Sequence, residues 1–218
     1  MLIFSYRLLQ VIFFPIILFI GLIRIYNKKE NYSSFIQKVF SNQNYKKICR
    51  SDYLIHFASI GELNSIKFLI ESLDNNNIVL SCSTLSSFEI SKKKYPNLFC
   101  IFLPIDLFWN VNNFLSKTNF KKILWIDSEI WPNWLLISNK KSLKNILING
   151  RISDKSYAKW SNYPKLSKII GGQYKLIFAQ SKKDQNKISN IFGRLVYFYG
   201  NLKFNIKTNI PKSKKKIV

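Results

Sequence analysis

Two glutamates follow strand-like apolar runs in a chain that has few acidic residues. Glu62 lies in the stretch "LIHFASIGELNS", residues 54–65, and Glu129 lies in "KKILWIDSEIWPNWL", residues 121–135. The 218 residues include 11 Asp and Glu against 34 Lys and Arg. Because acids are so scarce, the repeated placement of a glutamate after an apolar run indicates a shared site.

A lysine, Lys203 in "YGNLKFNI", follows the last apolar run of this kind. Two carboxylates and a lysine in one crevice suit the transfer of a group to a hydroxyl. One carboxylate can take the proton as a general base, which contributes about 10² to 10⁴ in rate. The lysine can stabilise a phosphate leaving group, and the second carboxylate can balance positive charge on an oxocarbenium-like carbon.

A structural interpretation of Glu62 stands beside the catalytic one. An acid in the first turn of a helix is stabilised by the helix dipole by about 0.3–1 kcal/mol. The residues alone leave both interpretations open.

The elements that must position these residues are strands alternating with helices. A typical helical stretch is "GELNSIKFLIESL", in which Leu63, Ile66, Ile70 and Leu73 mark one face. Runs that are apolar throughout are typical of strands buried on both faces, so we expect a Rossmann-like, doubly wound α/β domain with a mainly parallel sheet and flanking helices. A Gly-x-Gly-x-x-Gly fingerprint is absent after the first run. The seven runs are "YLIHFA", "NIVLSC", "LFCIFL", "KILWID", "NILING", "KLIFAQ" and "LVYFY".

Polar residues follow these runs, and in an open parallel sheet the carboxyl ends of the strands share one edge, where ligands bind. Helix capping accounts for some of them, Ser181 above all and also Ser83, Thr84 and Ser86. Capping explains Glu62, Glu129 and Lys203 less readily. The remaining strand-end residues include Ser59, Gly61, Asp106, Ser128, Asn149, Arg151, Gln180 and Asn201.

The N-terminal segment predicts a membrane anchor. From Leu8 to Ile23 only Gln10 interrupts an apolar face, and Arg24, Lys28 and Lys29 follow. A spanning helix needs roughly 20 apolar residues, so the segment is marginal for spanning, and it lies either across the bilayer or in its interface. The cations predict that the rest of the chain is cytoplasmic. The expected division is an anchor helix over 1–27, a basic interfacial linker with a short helix around 33–40 over 28–50, and the α/β domain over 51–206.

The net charge of +23 predicts attraction to a polyanion, either an anionic membrane or nucleic acid. A lysine-rich composition that merely solvates the surface is the plainer explanation for much of the excess. Recognised nucleic-acid motifs are absent, and the aromatic residues mostly alternate with aliphatic ones in strand-like runs. We therefore expect an anionic membrane surface as partner and no nucleic acid.

The cysteines and the single histidine exclude some chemistry. Cys49, Cys82 and Cys100 show neither metal-ligand spacing nor a disulfide framework, so reduced thiols are expected. His56 lies inside an apolar run and favours a packing or hydrogen-bonding role. Neither a metal nor an organic cofactor is predicted.

Five segments occur in this order and at this spacing in one enzyme family: "HFASIGELNSIKFLIESL", "WIDSEIWPNWL", "INGRISDKSY", "AQSKKDQNKI" and "YGNLKFNI". The chain resembles the N-terminal half of 3-deoxy-D-manno-octulosonic acid (Kdo) transferase, a membrane-anchored glycosyltransferase-B enzyme. The resemblance runs from the anchor to about residue 206. It implies an inverting transfer of Kdo from CMP-Kdo to lipid A precursor (lipid IVA) at the cytoplasmic face of the inner membrane.

The resemblance also implies residue roles. The glutamate of the family's Ser-x-Gly-Glu motif is the general base and matches Glu62, while Glu129 in "SEIWPN" and Lys203 in "GNLK" match transition-state stabilisers. Arg151 in "NGRIS" matches a family arginine, although Gly150 replaces the usual alanine. Weaker substrate-binding assignments fall on Ser59, Gly61, Ser128, Arg151, Ser153, Gln180, Ser181 and Asn201.

In the family, the CMP-binding motifs lie in a C-terminal domain. Residues 207–218 correspond to the start of the interdomain linker, so we expect the donor-binding half outside this chain and little transfer by the chain alone. The alternative is a non-catalytic remnant that binds anionic lipid.

Overall fold

The computed structural model describes residues 2–73, 77–127 and 130–202. Strands and helices alternate from residue 53 onward, as the sequence predicts, after four helices. The strands are β1 Tyr53–Phe57, β2 Ile78–Cys82, β3 Phe99–Phe102, β4 Lys122–Ile126, β5 Lys144–Gly150 and β6 Tyr174–Ala179. The helices are α1 Leu2–Ile12, α2 Phe14–Tyr26, α3 Tyr32–Phe40, α4 Tyr45–Ile48, α5 Ile60–Ser65, α6 Lys67–Glu71, α7 Leu85–Lys94, α8 Phe108–Ser116, α9 Pro132–Lys140, α10 Asp154–Ser161, α11 Pro164–Gly171 and α12 Lys182–Phe192.

The six strands form one sheet in the order β3-β2-β1-β4-β5-β6, and every neighbouring pair is parallel. This confirms the Rossmann-like α/β fold. The strand order reverses between β1 and β4, and ligands of such sheets bind at this switch point, outside the carboxyl ends of the strands. Glu62 and Glu129 follow these two central strands in the sequence.

The sheet is buried on both faces, which is why its strands are apolar throughout. Alternate residues of one strand contribute to two different core clusters: Ile123 and Trp125 of β4 belong to one, and Leu124 and Ile126 to the other. All four are at most 4% exposed. Burying both faces is the arrangement that a continuous apolar run predicts.

Two local predictions were wrong. The seventh apolar run, "LVYFY", contributes an isolated parallel bridge between Tyr197 and Phe178, not a strand. The helix over "GELNSIKFLIESL" is broken into α5 and α6 at Ile66, whose φ and ψ are −99° and 9°. Beside the break, the hydroxyl of Ser65 donates to the backbone oxygen of Glu62 at 2.7 Å, a local bond of the kind that competes with regular helix geometry.

The predicted apolar face of this segment is nevertheless correct. Leu63, Ile66 and Ile70 are buried, and Leu73 packs against the same core cluster. The face survives the break because its contacts, not helix propensity, hold it against the sheet.

The N-terminal part contains the predicted short helix, which is α3. Within the described residues, no single helix is long and apolar enough to cross a bilayer. Residues Ile3–Ile12 and Phe14–Tyr26 together have the required length and composition, but they meet at a bend of 56°. The predicted anchor therefore stays a prediction.

Candidate functional site

Glu62 lies in the first turn of α5, directly after β1. Its carboxylate turns back and accepts a hydrogen bond from the backbone nitrogen of Ala58 at 2.6 Å, so an oxygen of Glu62 lies at the exit of β1. The hydroxyl of Ser59 accepts from the backbone nitrogen of Glu62 at 3.3 Å and caps the helix. Glu62 is 7% exposed, and no ion pair to it occurs among the described residues.

Gly61 is exposed beside this carboxylate, and the protein does not require a glycine there. A Cβ at position 61 would meet only the hydroxyl oxygen of Ser59, at an ordinary 3.8 Å. A glycine inside a helix costs roughly 0.5–1 kcal/mol relative to alanine. The residue therefore leaves room for close approach to the backbone next to Glu62.

A buried carboxylate occupies the exit of the neighbouring strand β4. Asp127 is 1% exposed and adopts a left-handed φ of 61°. It accepts a hydrogen bond from the side-chain nitrogen of Asn149 at 2.6 Å, and its second oxygen lies 3.4 Å from Nε of Arg151. Because His56 of β1 is in register with Trp125 of β4, the two strand exits are adjacent at the switch point.

The last described residues return to the same edge. The backbone nitrogen of Leu202 donates to the side-chain oxygen of Asn149 at 3.4 Å, and the Leu202 side chain packs against the core. Tyr197 pairs with β6 through bonds to Ala179 and Ile177. The chain therefore runs along β6 and then toward the exits of β4 and β5, immediately before Lys203.

A cavity of about 690 Å³ opens over the exits of β5 and β6. It combines aromatic and aliphatic side chains with one guanidinium group, one carboxylate, two hydroxyls and one amide, and the guanidinium and rings suit a ligand that has both a ring and an anionic substituent. The lining residues are Ile130, Trp131, Arg151, Ile152, Ser153, Ser156, Trp160, Gln180 and Asp184.

Two serines near this cavity, Ser153 and Ser181, cap helices, as predicted for Ser181. The hydroxyl of Ser181 accepts from the backbone nitrogen of Asp184 at 3.0 Å and donates to its carboxylate at 2.5 Å. The other carboxylate oxygen of Asp184 accepts from the backbone nitrogen of Ile152 at 3.0 Å. Ser153 caps α10 in the same way. Asp184 thus attaches the loop that contains Arg151 and Ile152 to the first turn of α12.

The structure brings Ser59, Gly61, Glu62, Arg151, Ser153, Gln180, Ser181 and Asn201 to the carboxyl edge of the sheet or to the loops after it. Ser128, Glu129 and Lys203 lie outside the described residues, so their predicted positions stay predictions.

Sequence reasoning missed four residues at this edge: Asp127, Trp131, Trp160 and Asp184. Asp127 directly follows an apolar run in "WID" and could have been found by its position. Trp131 could have been found within the quoted segment "SEIWPN", whereas Trp160 joins the cavity through tertiary packing, for which the sequence offers no signal.

The histidine and cysteines have structural positions. His56 is fully buried between the hydroxyls of Ser81 and Ser83, and burial lowers its pKa to about 3, so the ring is neutral at physiological pH. Burial raises the pKa of Cys82, and it raises the pKa of Cys100 to about 11. Across the described residues, no three His, Cys, Asp or Glu side chains are placed to hold a metal ion.

The comparison that decides the family covers most of the chain. Residues 28–206 match the family model described as 3-deoxy-D-manno-octulosonic-acid transferase (kdotransferase). The chain belongs to this family. The matched range includes every site residue discussed above, from Ser59 to Lys203.

Curated relatives agree with the Kdo transferase assignment. A 3-deoxy-D-manno-octulosonic acid transferase of Rickettsia typhi is 31% identical over 69% of this chain and 33% of its own length. The enzyme of the same name from Aquifex aeolicus is 26% identical over 78% of this chain and 45% of its own length. A bifunctional glycosyltransferase/methyltransferase of Fusobacterium nucleatum is 32% identical over 82% of this chain and 29% of its own length. The chain thus spans between 29% and 45% of the length of these relatives.

Proposed function

We propose that this Kdo transferase family chain supplies the acceptor-binding half and the general base for transfer of Kdo from CMP-Kdo to lipid A precursor (lipid IVA). The observation that carries the proposal is the Glu62 carboxylate, which is buried at the exit of β1, beside the switch point, and engaged by one backbone donor. A carboxylate oxygen pair has about four lone-pair sites, so capacity remains for a substrate hydroxyl.

In the proposed step, Glu62 takes the proton from a hydroxyl of the lipid acceptor. The acceptor oxygen then bonds to the anomeric carbon of Kdo from the face opposite the CMP group, and the bond from that carbon to the phosphate oxygen breaks. CMP leaves with the electron pair, and the configuration inverts. The proton ends on the Glu62 carboxylate.

Glu129 and Lys203 are proposed to stabilise the transition state. Glu129 is two residues beyond the buried Asp127, at the strand next to the one that Glu62 follows. Lys203 directly follows Leu202, whose backbone binds Asn149 at that edge. These neighbours support an approach of both side chains to the switch point. A lysine here would neutralise charge that develops on the departing phosphate.

The cavity over β5 and β6 is the proposed acceptor subsite. Arg151 offers a guanidinium group for an anionic substituent such as a phosphate, and aromatic rings such as Trp131 and Trp160 suit the apolar face of a sugar. Gly61 allows the acceptor to approach the backbone near Glu62. Further polar contacts are proposed for Ser59, Ser128, Ser153, Gln180, Ser181 and Asn201, in addition to the helix caps that three of them form.

The donor is proposed to bind mainly to a nucleotide-binding domain outside these residues, with neither a metal nor an organic cofactor. The site is proposed to act at the cytoplasmic face of the inner membrane, where the lipid acceptor is available.

The test combines this chain with the remaining C-terminal part of the Rickettsia typhi relative and measures Kdo transfer to lipid IVA. Glu62→Gln keeps a side-chain oxygen for the Ala58 nitrogen but removes the basic charge, so we expect about 10² to 10⁴ slower transfer with an unchanged melting temperature. Glu71→Gln is the matched control, because Glu71 is an exposed glutamate on the following helix and should leave the rate unchanged.

Full activity of the Glu62→Gln mixture would contradict the base assignment. If the unchanged chain binds lipid IVA but no complementary half restores transfer, the alternative of a non-catalytic anionic-lipid-binding protein replaces the proposal.

A further inference from the structure

Helix α1 is amphipathic, but its polar side faces the α/β domain and its apolar side faces outward. A surface helix of a soluble protein has the opposite arrangement. Ile3, Tyr6, Arg7 and Gln10 follow the spacing i, i+3, i+4, i+7 and therefore share one side of the helix. This side faces the α/β domain: Ile3 packs against the core, and the three polar residues form hydrogen bonds there. The polar side of α1 is thus turned inward.

The bonds of this inward side converge on two residues at the carboxyl edge of the sheet. Asp106, in the loop after β3, accepts from the Tyr6 hydroxyl at 2.8 Å and, through its backbone oxygen, from the Gln10 amide at 2.6 Å. Asn133, in the first turn of α9, accepts from Nε of Arg7 at 2.9 Å and donates to Gln10 at 2.9 Å. These bonds fix α1 to the edge on which Glu62 and Asp127 lie.

The outward side of α1, together with α2, is a continuous apolar surface. Eleven large apolar side chains between residues 4 and 23 are each at least 43% exposed. Monomeric soluble proteins rarely expose such a contiguous patch without a partner. These residues are Phe4, Leu8, Leu9, Val11, Ile12, Phe13, Ile16, Phe19, Ile20, Leu22 and Ile23.

Helix α2 is attached to the domain by Phe14, whose ring packs edge-on against Trp109 of α8 at 5.5 Å between centroids, and by a small and a charged residue. Gly21 is buried against the ring of Phe35 of α3, where a Cβ would clash. Arg24 pairs with Glu30 at 3.1 Å, and Glu30 pairs with Lys38 of α3 at 2.6 Å. Lys38 in turn donates to the backbone oxygen of Ser83, after β2, at 2.6 Å.

We infer that α1 and α2 lie in the plane of an anionic bilayer surface as a bent, non-spanning pair, and that the α1 bonds to Asp106 and Asn133 hold the carboxyl edge of the sheet toward the lipid. The exposed face fits the apolar side of the interface, and the exposed Lys28 and Lys29 that follow α2 fit anionic headgroups.

A spanning arrangement conflicts with the observed contacts. To cross the bilayer, α1 would have to leave the domain and carry Tyr6, Arg7 and Gln10 into hydrocarbon, where polar groups without partners are costly. A crossing pair would also carry the 56° bend between the helices through the bilayer. In the plane of the interface, every one of these contacts is kept.

The inference is independent of the proposed chemistry, since it concerns membrane binding and not Kdo transfer. Combined with the proposed function, on which this consequence rests, it gives the acceptor a route: a lipid-borne hydroxyl reaches Glu62 from the membrane plane, without leaving the bilayer.

The first experiment measures flotation of the full chain with vesicles of phosphatidylcholine with or without phosphatidylglycerol. Leu8→Glu/Phe19→Glu should reduce binding at least tenfold, whereas Phe68→Glu, on an equally exposed phenylalanine of α6, should leave it unchanged. Lys28→Gln/Lys29→Gln should reduce binding on the order of tenfold only on the anionic vesicles. Equal binding by all variants would overturn the inference.

A second experiment separates the in-plane from the spanning arrangement. A protease-cleavable peptide added before Met1 should be cut in inside-out inner-membrane vesicles and protected in intact spheroplasts, because both ends of the helix pair stay on the cytoplasmic side. Cleavage only in spheroplasts would overturn the inference in favour of a spanning anchor. A chain that dimerises through the apolar face and ignores vesicles would overturn it in favour of a second copy as partner.

Discussion

Two buried carboxylates at the same edge of the sheet, those of Asp106 and Glu62, differ in how many hydrogen bonds they accept from the protein. The Asp106 carboxylate accepts from the backbone nitrogens of Asn133 and Trp134, at 3.1 and 2.9 Å, and from the Tyr6 hydroxyl. Within the described residues, the Glu62 carboxylate accepts only from the backbone nitrogen of Ala58. Both are less than 10% exposed, so burial does not distinguish them.

Occupancy by hydrogen bonds does distinguish them. Asp106 joins α1 to the start of α9 and has little capacity left for a ligand. Glu62 is oriented by one bond and keeps acceptor sites that a substrate hydroxyl can use. A buried acid with several protein donors is therefore a structural acid, and one with a single donor beside a strand switch point is a candidate base.

The largest expected effect is on the free energy of unfolding, and it tests whether Asp106 is a structural acid and Glu62 is not. Asp106→Ala should lower the free energy of unfolding by about 3 kcal/mol, because it leaves buried backbone donors at α9 and the Tyr6 hydroxyl without an acceptor. Glu62→Gln should change it by less than about 1 kcal/mol, since the amide oxygen can replace the carboxylate oxygen at Ala58. Urea unfolding of the two variants and the parent chain measures both values.

Equal losses in the free energy of unfolding for Asp106→Ala and Glu62→Gln would contradict the distinction between the two carboxylates. A large loss for Glu62→Gln would make that carboxylate a structural acid, as the first-turn interpretation holds.

The next effect concerns pH and contrasts Asp106 with His56. Burial raises the pKa of Asp106 to about 6 from its ordinary value of 3.8, so the folded chain keeps a proton that the unfolded chain releases. Its contribution to stability therefore increases as the pH falls from about 6 to about 4. Burial lowers the pKa of His56 from 6.5 to about 3, so unfolding takes up a proton. Its contribution decreases over the same range, and the two offset each other.

Replacing the histidine should expose the Asp106 contribution. His56→Asn removes the titrating ring. As the pH falls, the free energy of unfolding of the variant should therefore increase relative to that of the parent by about 1.4 kcal/mol per pH unit, or about 3 kcal/mol from pH 6 to pH 4. Urea unfolding at pH 4, 5, 6 and 7 measures the difference. A difference that does not change with pH would show that His56 titrates alike in both states.

The smallest expected effect concerns Gly61. Gly61→Ala should leave stability unchanged or raise it by up to about 1 kcal/mol, because the new Cβ meets one atom at ordinary distance. If the acceptor approaches the backbone beside Glu62, the same change should raise the KM for lipid IVA in the reconstituted transfer assay. An unchanged KM would show that this space is not part of the acceptor path.

The sequence by itself determined the parallel α/β sheet, the residues at its carboxyl edge and several helix caps. These follow from local rules: doubly buried strands are apolar throughout, parallel strands end on one side, and a serine or threonine such as Ser181 or Thr84 satisfies the first turn of a helix. The place of Glu62 after β1 could be read for the same reason, whereas the placement of Glu129, outside the described residues, stays a prediction.

Only the tertiary structure decided which way α1 faces, what Asp106 does and where the cavity lies. Gln10 interrupts an apolar run in the sequence, but its structural role comes from hydrogen bonds to Asp106 and Asn133, which lie 96 and 123 positions away along the chain. The Trp131 and Trp160 side chains likewise line one cavity although they lie far apart along the chain. Hydrogen bonds and packing across such separations depend on the assembled fold, because no local propensity encodes which distant groups will become neighbours.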